Sequence, residues 1–404
     1  MQSKKVIWYG PPYSYSGYAQ HNRAMLFELN KLGWDIDLRP TETDIPKGLI
    51  GKEILLGMIK NNRHDPANTI CLNLVPPPAL PLFSCYTILF TTIESDTIHP
   101  GFMLRIKQYD EVWVPCMDNY VSLVRAGFPS SKLRIVKEGV YTDFFTPHSP
   151  PLPDYKSDLF TFFFHGDWSY RKGIDILLRS YCQAFKTTDN VRLLMLTHYQ
   201  GTDTEHSAKR ITEELKYLLQ KFNIKNVPKI DFIFDYIPDS DLSSLYNCTD
   251  VYVCPSRGEA WCLPVCQSMS CGRPSIITGW GGQTDFCNSK NGYVCKVDKF
   301  DIIDNKCSLS VDFYKGQKFA FCDVNHFSRL MRHCYENQEE VKEKGKKARK
   351  DIYKNFDWKF AGQIANRRLR SIYESSAYNA NLQSFRSNES LFADVISGYV
   401  KKFV

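Results

Sequence analysis

The stretch PSRGEAWCLPVCQSMSCGRPSIITGWGGQTDF, residues 255–286, decides how this chain is read. It runs from a strand end through an acidic loop into a short helix, a strand and a Gly-Gly loop. Pro264 stands where a helix begins and Gly272 just past its end. Proline lacks the N–H that a first turn leaves unused, and glycine tolerates the left-handed turn after a last one. The exposed amides at such a helix start, with the dipole behind them, favour a phosphate. Glu259 precedes Gln267 by eight positions. Polar side chains thus flank the phosphate position and suit sugar hydroxyls.

Working outward, apolar strand patterns occupy 159–165, 193–197, 230–234 and 251–254. Helical patterns fall at 171–185, 211–222 and 241–246. A similar alternation fills the first third of the chain. The strand 6–9 enters the loop GPPYSYSGY, and Ala24, Met25, Leu26, Leu29 and Leu32 recur at helical spacing until Gly33. Further strands are predicted at 36–38, 70–75, 86–91, 111–114 and 133–137. Alternating strands and helices predict an α/β class with doubly wound parallel sheets. The segment PHSPPLPDYKSD, 147–158, carries four prolines and reads as a linker. The prediction is an N-terminal domain over 1–150, a second over 151–358 and a helical segment over 359–404, with Phe356, Trp358 and Phe360 as anchors. Ligands of such sheets bind at the strand C-terminal ends, here in the cleft between two units.

Composition narrows the class. The chain has 404 residues, 43% hydrophobic and 24% charged, which fits a two-domain soluble globular protein. Fifty-one basic against 44 acidic residues leave +7, a modest excess with no long basic run outside 342–350. A nucleic-acid partner is therefore not expected. No apolar run reaches signal-peptide length or the ~20 residues that span a bilayer. A cytoplasmic location is expected, with peripheral membrane contact left open. Fourteen cysteines without a secretory signal read as free thiols in a reducing compartment. The spacings of Cys262, Cys266 and Cys271 match no zinc pattern and no histidine stands among them, so they read as small buried hydrophobes. Two glycosylation sequons, at Asn247 and Asn388, carry little weight without secretion.

GDWSYRKGIDILLRSYCQAF (166–185) followed by DVYVCPSRGEAWCLPVCQSMSCGRPSIITGWGG (250–282) resembles the C-terminal half of GT-B glycosyltransferases of family 4. SGYAQHNRAMLFELNKLGWDI (16–36) looks like that family's glycine loop and first helix, and EVWVP, AGF, KLRIVKEGV and FFTP follow its linker-side pattern. The resemblance runs to about residue 375. It implies two Rossmann-like domains facing a cleft, with a C-terminal helix crossing back to the first. It also implies transfer of a hexose-type sugar from a nucleotide-diphosphate donor to an acceptor hydroxyl of a glycan or glycoconjugate, with retained anomeric configuration.

Carried onto this sequence, the resemblance makes Arg171 and Lys172 the diphosphate cations. Cations at a helix start oppose the dipole, so a site explanation suits them better than a solvated face. Glu259 matches a clamp on the donor sugar. Gln267 stands where the family binds ribose hydroxyls with a glutamate; an amide accepts with one atom and donates with the other. Gly17 and Tyr18 correspond to the glycine loop, Gly281 and Gly282 to the loop near the donor, and Leu263 and Pro264 to the helix start. Tyr236 and Ile237 fall where the base is held, largely by backbone. The family's N-domain histidine position is here Thr91 or Thr92, which leaves Glu94 and Asp96 as polar candidates near the reaction, or as caps of the following helix. His21 fits a core edge as well as a site. No metal is expected: Asp239-Ser240-Asp241 reads as a helix cap, and cations with helix amides supply the neutralisation a metal gives elsewhere. Rival readings are another GT-B enzyme, such as a nucleotide-sugar epimerase or a phosphorylase, and a non-catalytic glycosyltransferase-like binding protein. A phosphorylase would need a pyridoxal-binding lysine context, which the sequence lacks.

Overall fold

A computed structural model describes residues 5–46, 48–60, 69–75, 81, 85–199, 201–303 and 314–375. Its frame is two six-stranded parallel sheets. The first contains β1 (Lys5–Gly10), β2 (Asp35–Pro40), β3 (Thr69–Leu74), β4 (Tyr86–Phe90), β5 (Glu111–Val114) and β6 (Leu133–Ile135), in the order β2-β1-β3-β4-β5-β6. The second contains β7 (Phe160–His165), β8 (Val191–Leu196), β9 (Ile230–Ile233), β10 (Val251–Cys254), β11 (Ser275–Thr278) and β12 (Tyr293–Cys295), in the order β12-β11-β10-β7-β8-β9. In each, order reverses beside the first strand, the switch point at which doubly wound sheets take ligands. The predicted α/β, GT-B architecture is the observed one.

Helices follow most strands: α1 (Gly17–Lys31), α2 (Lys52–Gly57), α3 (Pro100–Ile106), α4 (Met117–Arg125), α5 (Ile174–Ala184), α6 (Thr204–Lys221), α7 (Asp239–Tyr246) and α8 (Leu263–Ser270). Two start earlier than their apolar periodicity. The opening residues of α6, Thr204, Glu205 and His206, are exposed and polar, and the start is fixed instead by Asp203, whose side chain accepts from His206 N at 2.9 Å. The second turn of α1 carries the buried polar residues His21, Asn22 and Arg23, and Arg23 Nη1 ties down the preceding loop through Pro12 O (3.1 Å) and Ser14 O (2.7 Å). Asn22 closes the same corner, with its Nδ2 on Leu74 O at 3.1 Å, and a Cβ at Gly10 would meet Asn22 Oδ1 at 2.2 Å.

After β12 the chain forms an antiparallel pair, β13 (Val297–Ile302) and β14 (Lys318–Cys322), that sequence patterning does not announce. Then come α9 (Val324–Glu336), α10 (Gln338–Asn355) and α11 (Trp358–Tyr373). The basic run of α10 is a solvated face, with Lys342, Lys346 and Lys347 paired to Glu339, Glu343 and Asp351. Between α10 and α11 the chain returns to the first domain. Val140 N donates to Phe356 O (2.9 Å), and Asp357 caps α11 while accepting from Thr142 N at 3.1 Å. Helix α11 then lies on α1: Asn366 accepts from the Trp34 indole at 2.9 Å, and a Cβ at Gly362 would meet Glu28 Cβ at 2.5 Å. Arg368 Nε reaches both oxygens of the buried Glu111 at 2.9 Å. Among the described residues no helix is long and apolar enough to cross a membrane.

Candidate active site

The C-terminal ends of the two sheets face each other, and side chains meet across the cleft between them. At its centre Arg171 and Lys172 end the loop after β7. Gly173, at φ +71°, turns that loop into α5 against Pro255, whose carbonyl oxygen would lie 2.2 Å from a Cβ. Lys172 Nζ lies 2.6 Å from Glu259 Oε1, and Arg171 Nη1 lies 3.2 Å from Glu259 Oε2. Ser256 Oγ also donates to Glu259 Oε1, at 2.5 Å. Arg171 Nη1 further donates to Gly258 O at 2.9 Å. Glu259 is buried, at 5% exposure. Burial alone would raise its carboxyl pKa, but the two cations outweigh burial and hold it below the usual carboxylate value. Burial likewise opposes the charge on Lys172, and the Glu259 carboxylate reverses that shift to a net rise. The site keeps all three groups ionised.

Arg257, which sequence reading passed over, holds this loop in place. Its side chain is 1% exposed. Its guanidinium bonds Asp175 Oδ2 at 2.7 Å and the Tyr170 carbonyl, between the rings of Tyr170 and Phe321 at 3.9 and 4.6 Å. Its amide donates to Arg171 O at 2.7 Å and its carbonyl accepts from Ala320 N at 3.0 Å. The only signal in sequence is an arginine two residues before Glu259, in a motif whose other members absorb the attention.

Leu263 and Pro264 open α8, as predicted. No side chain caps that end, and Cys262 adopts a left-handed φ of +74° to make the turn. Glu259 and the Cys254 and Cys262 thiols offer potential ligand atoms within 4.8 Å of one another. Glu259 is, however, already bound to two cations and a hydroxyl, and the thiols, 3.7 Å apart, interact with each other. A metal would have to displace Lys172, so these residues fit an ion-pair site better than a metal centre. Of the described cysteines twelve are buried and Cys182 is half-buried, all as free thiols.

Gln267 is buried at 4% exposure and carries a polar relay across the cleft. Tyr246 donates its hydroxyl to Gln267 Oε1 at 3.1 Å, and Gln267 Nε2 donates to Gln20 Oε1 of α1 at 3.2 Å. Tyr246 has one proton, so its 3.2 Å contact with His165 Nδ1 is a hydrogen bond only if that nitrogen is the donor. Burial, then His198 and Lys172, push the His165 pKa down to about 3, which keeps the ring neutral. Farther along, Tyr15 of the N-terminal loop stacks on Tyr236, centroids 3.5 Å apart, beside the 3.2 Å pair of Arg23 and Asp239. Ile237 is buried next to that stack.

Several predicted roles need correction. Asp96 faces the β13–β14 unit rather than the cations: its amide donates to Lys318 O at 3.2 Å and its Oδ1 accepts from Lys318 N at 2.6 Å. Neither it nor Glu94 caps α3, a task done by His99 Nδ1 accepting from Gly101 N at 3.1 Å. Asp239-Ser240-Asp241 does not cap α7 either; that helix starts at Asp239 behind Pro238 with no side-chain cap, and Asp239 reaches Arg23 instead. Gly282 is packed inward, where a Cβ would lie 1.9 Å from Ala260 O, and its amide is spent on Glu259 O at 2.8 Å. Gly281 gives its amide to Asp118 Oδ2 at 2.9 Å. This loop therefore fixes the Glu259 segment and offers no amide from Gly281 or Gly282 to a ligand. His21 is a core residue, 3.3 Å from Glu138 and edge-on to Phe90. Gly17 is exposed at the start of α1 and a Cβ there would meet nothing, so the fold itself does not demand glycine. Tyr18 beside it bonds Thr92.

Two facing Rossmann-like domains, with a carboxylate-clamped cation pair at the end of the second sheet's first strand, define a GT-B protein. Residues 160–309, within the second sheet's half of the chain, match the family described as Glycosyl transferases group 1. Over 117 residues the chain is 25% identical to mannosylfructose-phosphate synthase of Agrobacterium fabrum, which covers 29% of this chain and a quarter (25%) of that relative. The fold is similar to that of sucrose-phosphate synthase from Thermosynechococcus elongatus, with TM-score 0.66 and 15% identity over 92% of this chain and 100% of the other. It is also similar to Anabaena HepE in complex with UDP and glucose, with TM-score 0.62 and 12% identity over 91% of this chain and 100% of that one.

Proposed function

We propose that the protein is a retaining, metal-independent glycosyltransferase. It takes a hexose-type sugar from a nucleoside diphosphate donor held on residues 151–358 and places it on the hydroxyl of a glycan or glycoconjugate held by residues 1–150. The observation that carries this reading is the Arg171–Lys172 pair, kept charged by Glu259 in an interdomain cleft. A departing nucleoside diphosphate gains negative charge, and fixed cations in a water-poor cleft stabilise it without reorganising. Glu259, ionised and oriented by Ser256, can accept from donor-sugar hydroxyls. Gln267 and Gln20 are turned toward each other, so ribose gains access to Gln267 when the domains part, and closure then excludes water that would hydrolyse the donor. A cytoplasmic enzyme that meets membrane-linked acceptors peripherally is the setting this reading implies.

HepE, a structural neighbour, has been seen with UDP and glucose, which makes UDP-glucose the first donor to try. The test is a screen of nucleotide sugars for donor hydrolysis and transfer, with calorimetric titration of the nucleoside diphosphates and with chelator present throughout. Binding of one diphosphate and slow chelator-resistant release of sugar are expected, with the anomeric configuration of the product read by NMR. Absence of binding by every nucleoside diphosphate would sink the reading. Binding without turnover would leave the non-catalytic alternative, and donor isomerisation without an acceptor would identify an epimerase.

A further inference from the structure

Arg171 has a second carboxylate partner, and it comes from the opposite domain. Glu94, on the loop after β4, places Oε2 at 3.2 Å from Arg171 Nε. The same oxygen accepts from the hydroxyl of Tyr314, which precedes β14. The guanidinium is thus held by Glu259 through Nη1 and by Glu94 through Nε, while Nη2 makes no hydrogen bond among the described residues.

The charges balance without any ligand. Two cations, Arg171 and Lys172, face two carboxylates, Glu94 and Glu259. A diphosphate brings about two further negative charges next to them. Like charges this close in a partly desolvated cleft repel strongly. One carboxylate must therefore give way. Glu259 is fixed by Ser256, Lys172 and Arg171 and is the more buried, its side chain 5% exposed. Glu94 is 23% exposed and hangs from a loop attached to the other domain. That loop docks closely: a Cβ at Gly258 would lie 1.7 Å from Glu94 O, Ser95 bonds Gln317 and Asp96 pairs with Lys318. The cation pair and the domain contact are therefore linked through one side chain.

We propose that Glu94 competes with the anionic ligand for Arg171, so that a bound diphosphate displaces the Glu94 carboxylate from the guanidinium and loosens its link to Tyr314. Glu94 is then a positioning residue that holds Arg171 aligned and sets donor affinity. This rests on the reading of Arg171 and Lys172 as a diphosphate site, but not on the ligand being a nucleotide. The experiment is titration of the full chain and of Glu94→Gln with inorganic pyrophosphate and, separately, with UDP. Removing the competing charge is expected to tighten both by about tenfold. Tyr314→Phe, which frees Glu94 without removing its charge, should tighten them less. In a transfer assay Glu94→Gln should lower the donor KM, a change that a purely structural role would not produce. Tighter pyrophosphate binding with no UDP binding by either protein would keep the competition and overturn the nucleotide reading. Equal or weaker pyrophosphate binding by Glu94→Gln and by Tyr314→Phe would overturn the proposal, even where wild-type protein binds UDP. Thermal unfolding of both variants identifies a folding defect, and Tyr314→Phe decides if Glu94→Gln does not fold.

Discussion

The two walls of the cleft are built differently. The C-terminal wall is local: Ser256, Glu259 and the start of α8 lie within one short segment, and Arg171 and Lys172 meet them across adjacent strands. The N-terminal wall is assembled from distant pieces. Gln20 on α1, Glu94 and Asp96 on the loop after β4, and Asp118 on α4 are far apart in sequence, and each finds its partner in the other domain. A wall made of neighbours in sequence carries its chemistry in a motif. A wall made by domain contact carries it in geometry alone, and its side chains serve docking as much as chemistry.

The sharpest challenge to the first wall is Lys172→Ala. If the ammonium stabilises the leaving diphosphate, its loss should cost about 2–4 kcal/mol in kcat/KM for the donor. Arg171 still holds Glu259 in that variant, so the fold should survive. Near-normal turnover would mean that Lys172 only neutralises Glu259. Next in size is Arg257→Ala, which strips a buried guanidinium from Asp175, from the Tyr170 carbonyl and from between two rings. A loss of about 3 kcal/mol in unfolding free energy is expected by denaturant titration. An unchanged midpoint would show that the loop carrying Arg171 and Lys172 needs no such brace.

This difference also sets what the sequence could reveal. The strands were legible because both faces of each parallel sheet are buried, giving short apolar runs such as those of β7 and β8. Glu259, Arg171 and Lys172 were legible because a resemblance fixed their spacing, and the structure brings the three together. Asp96 and Asp239 were misread because a carboxylate before a helix has two outlets, a cap or a partner across space, and local sequence shows only the first. The β13–β14 unit was invisible: β13 alternates weakly and is largely exposed, so burial left no imprint on its residues. Arg257 escaped because a buried arginine is recognised by its partners, which lie in α5, in β14 and after β7.

The relay through Gln267 joins the two walls, and its inner end can be tested by pH. His165 is held neutral, with its pKa lowered to about 3 by burial, His198 and Lys172. The unfolded ring takes a proton near its ordinary value of about 6.5, whereas the folded ring resists. Above that value both states are neutral and His165 has no pH-linked effect. As pH falls below it the unfolded state binds the extra proton, so stability declines, and the decline levels off only below the folded pKa. His165→Gln should remove that part of the acid loss. Its unfolding free energy relative to wild type should rise steadily from neutral pH toward pH 4. Parallel curves would mean that the folded ring titrates near its ordinary value.

The smallest expected effect lies at the joint itself. Gln267→Glu would restore a carboxylate where the resemblance places one. Tyr246 can still donate to it, and the Gln20 amide can turn over to donate with its nitrogen in place of accepting with its oxygen. Both contacts of the relay then persist, and two ribose hydroxyls would find an acceptor that takes both bonds. The cost is a carboxylate at a buried position, offset by two donors. Donor affinity should stay the same or tighten by a few-fold, with the unfolding midpoint shifted only slightly, both readable from one calorimetric series. A loss of donor binding with stability intact would show that the amide N–H of Gln267 is itself used by the ligand. The substitution would then belong to this chain's chemistry, and the cleft wall that appears most local would owe its specificity to a partner in the other domain.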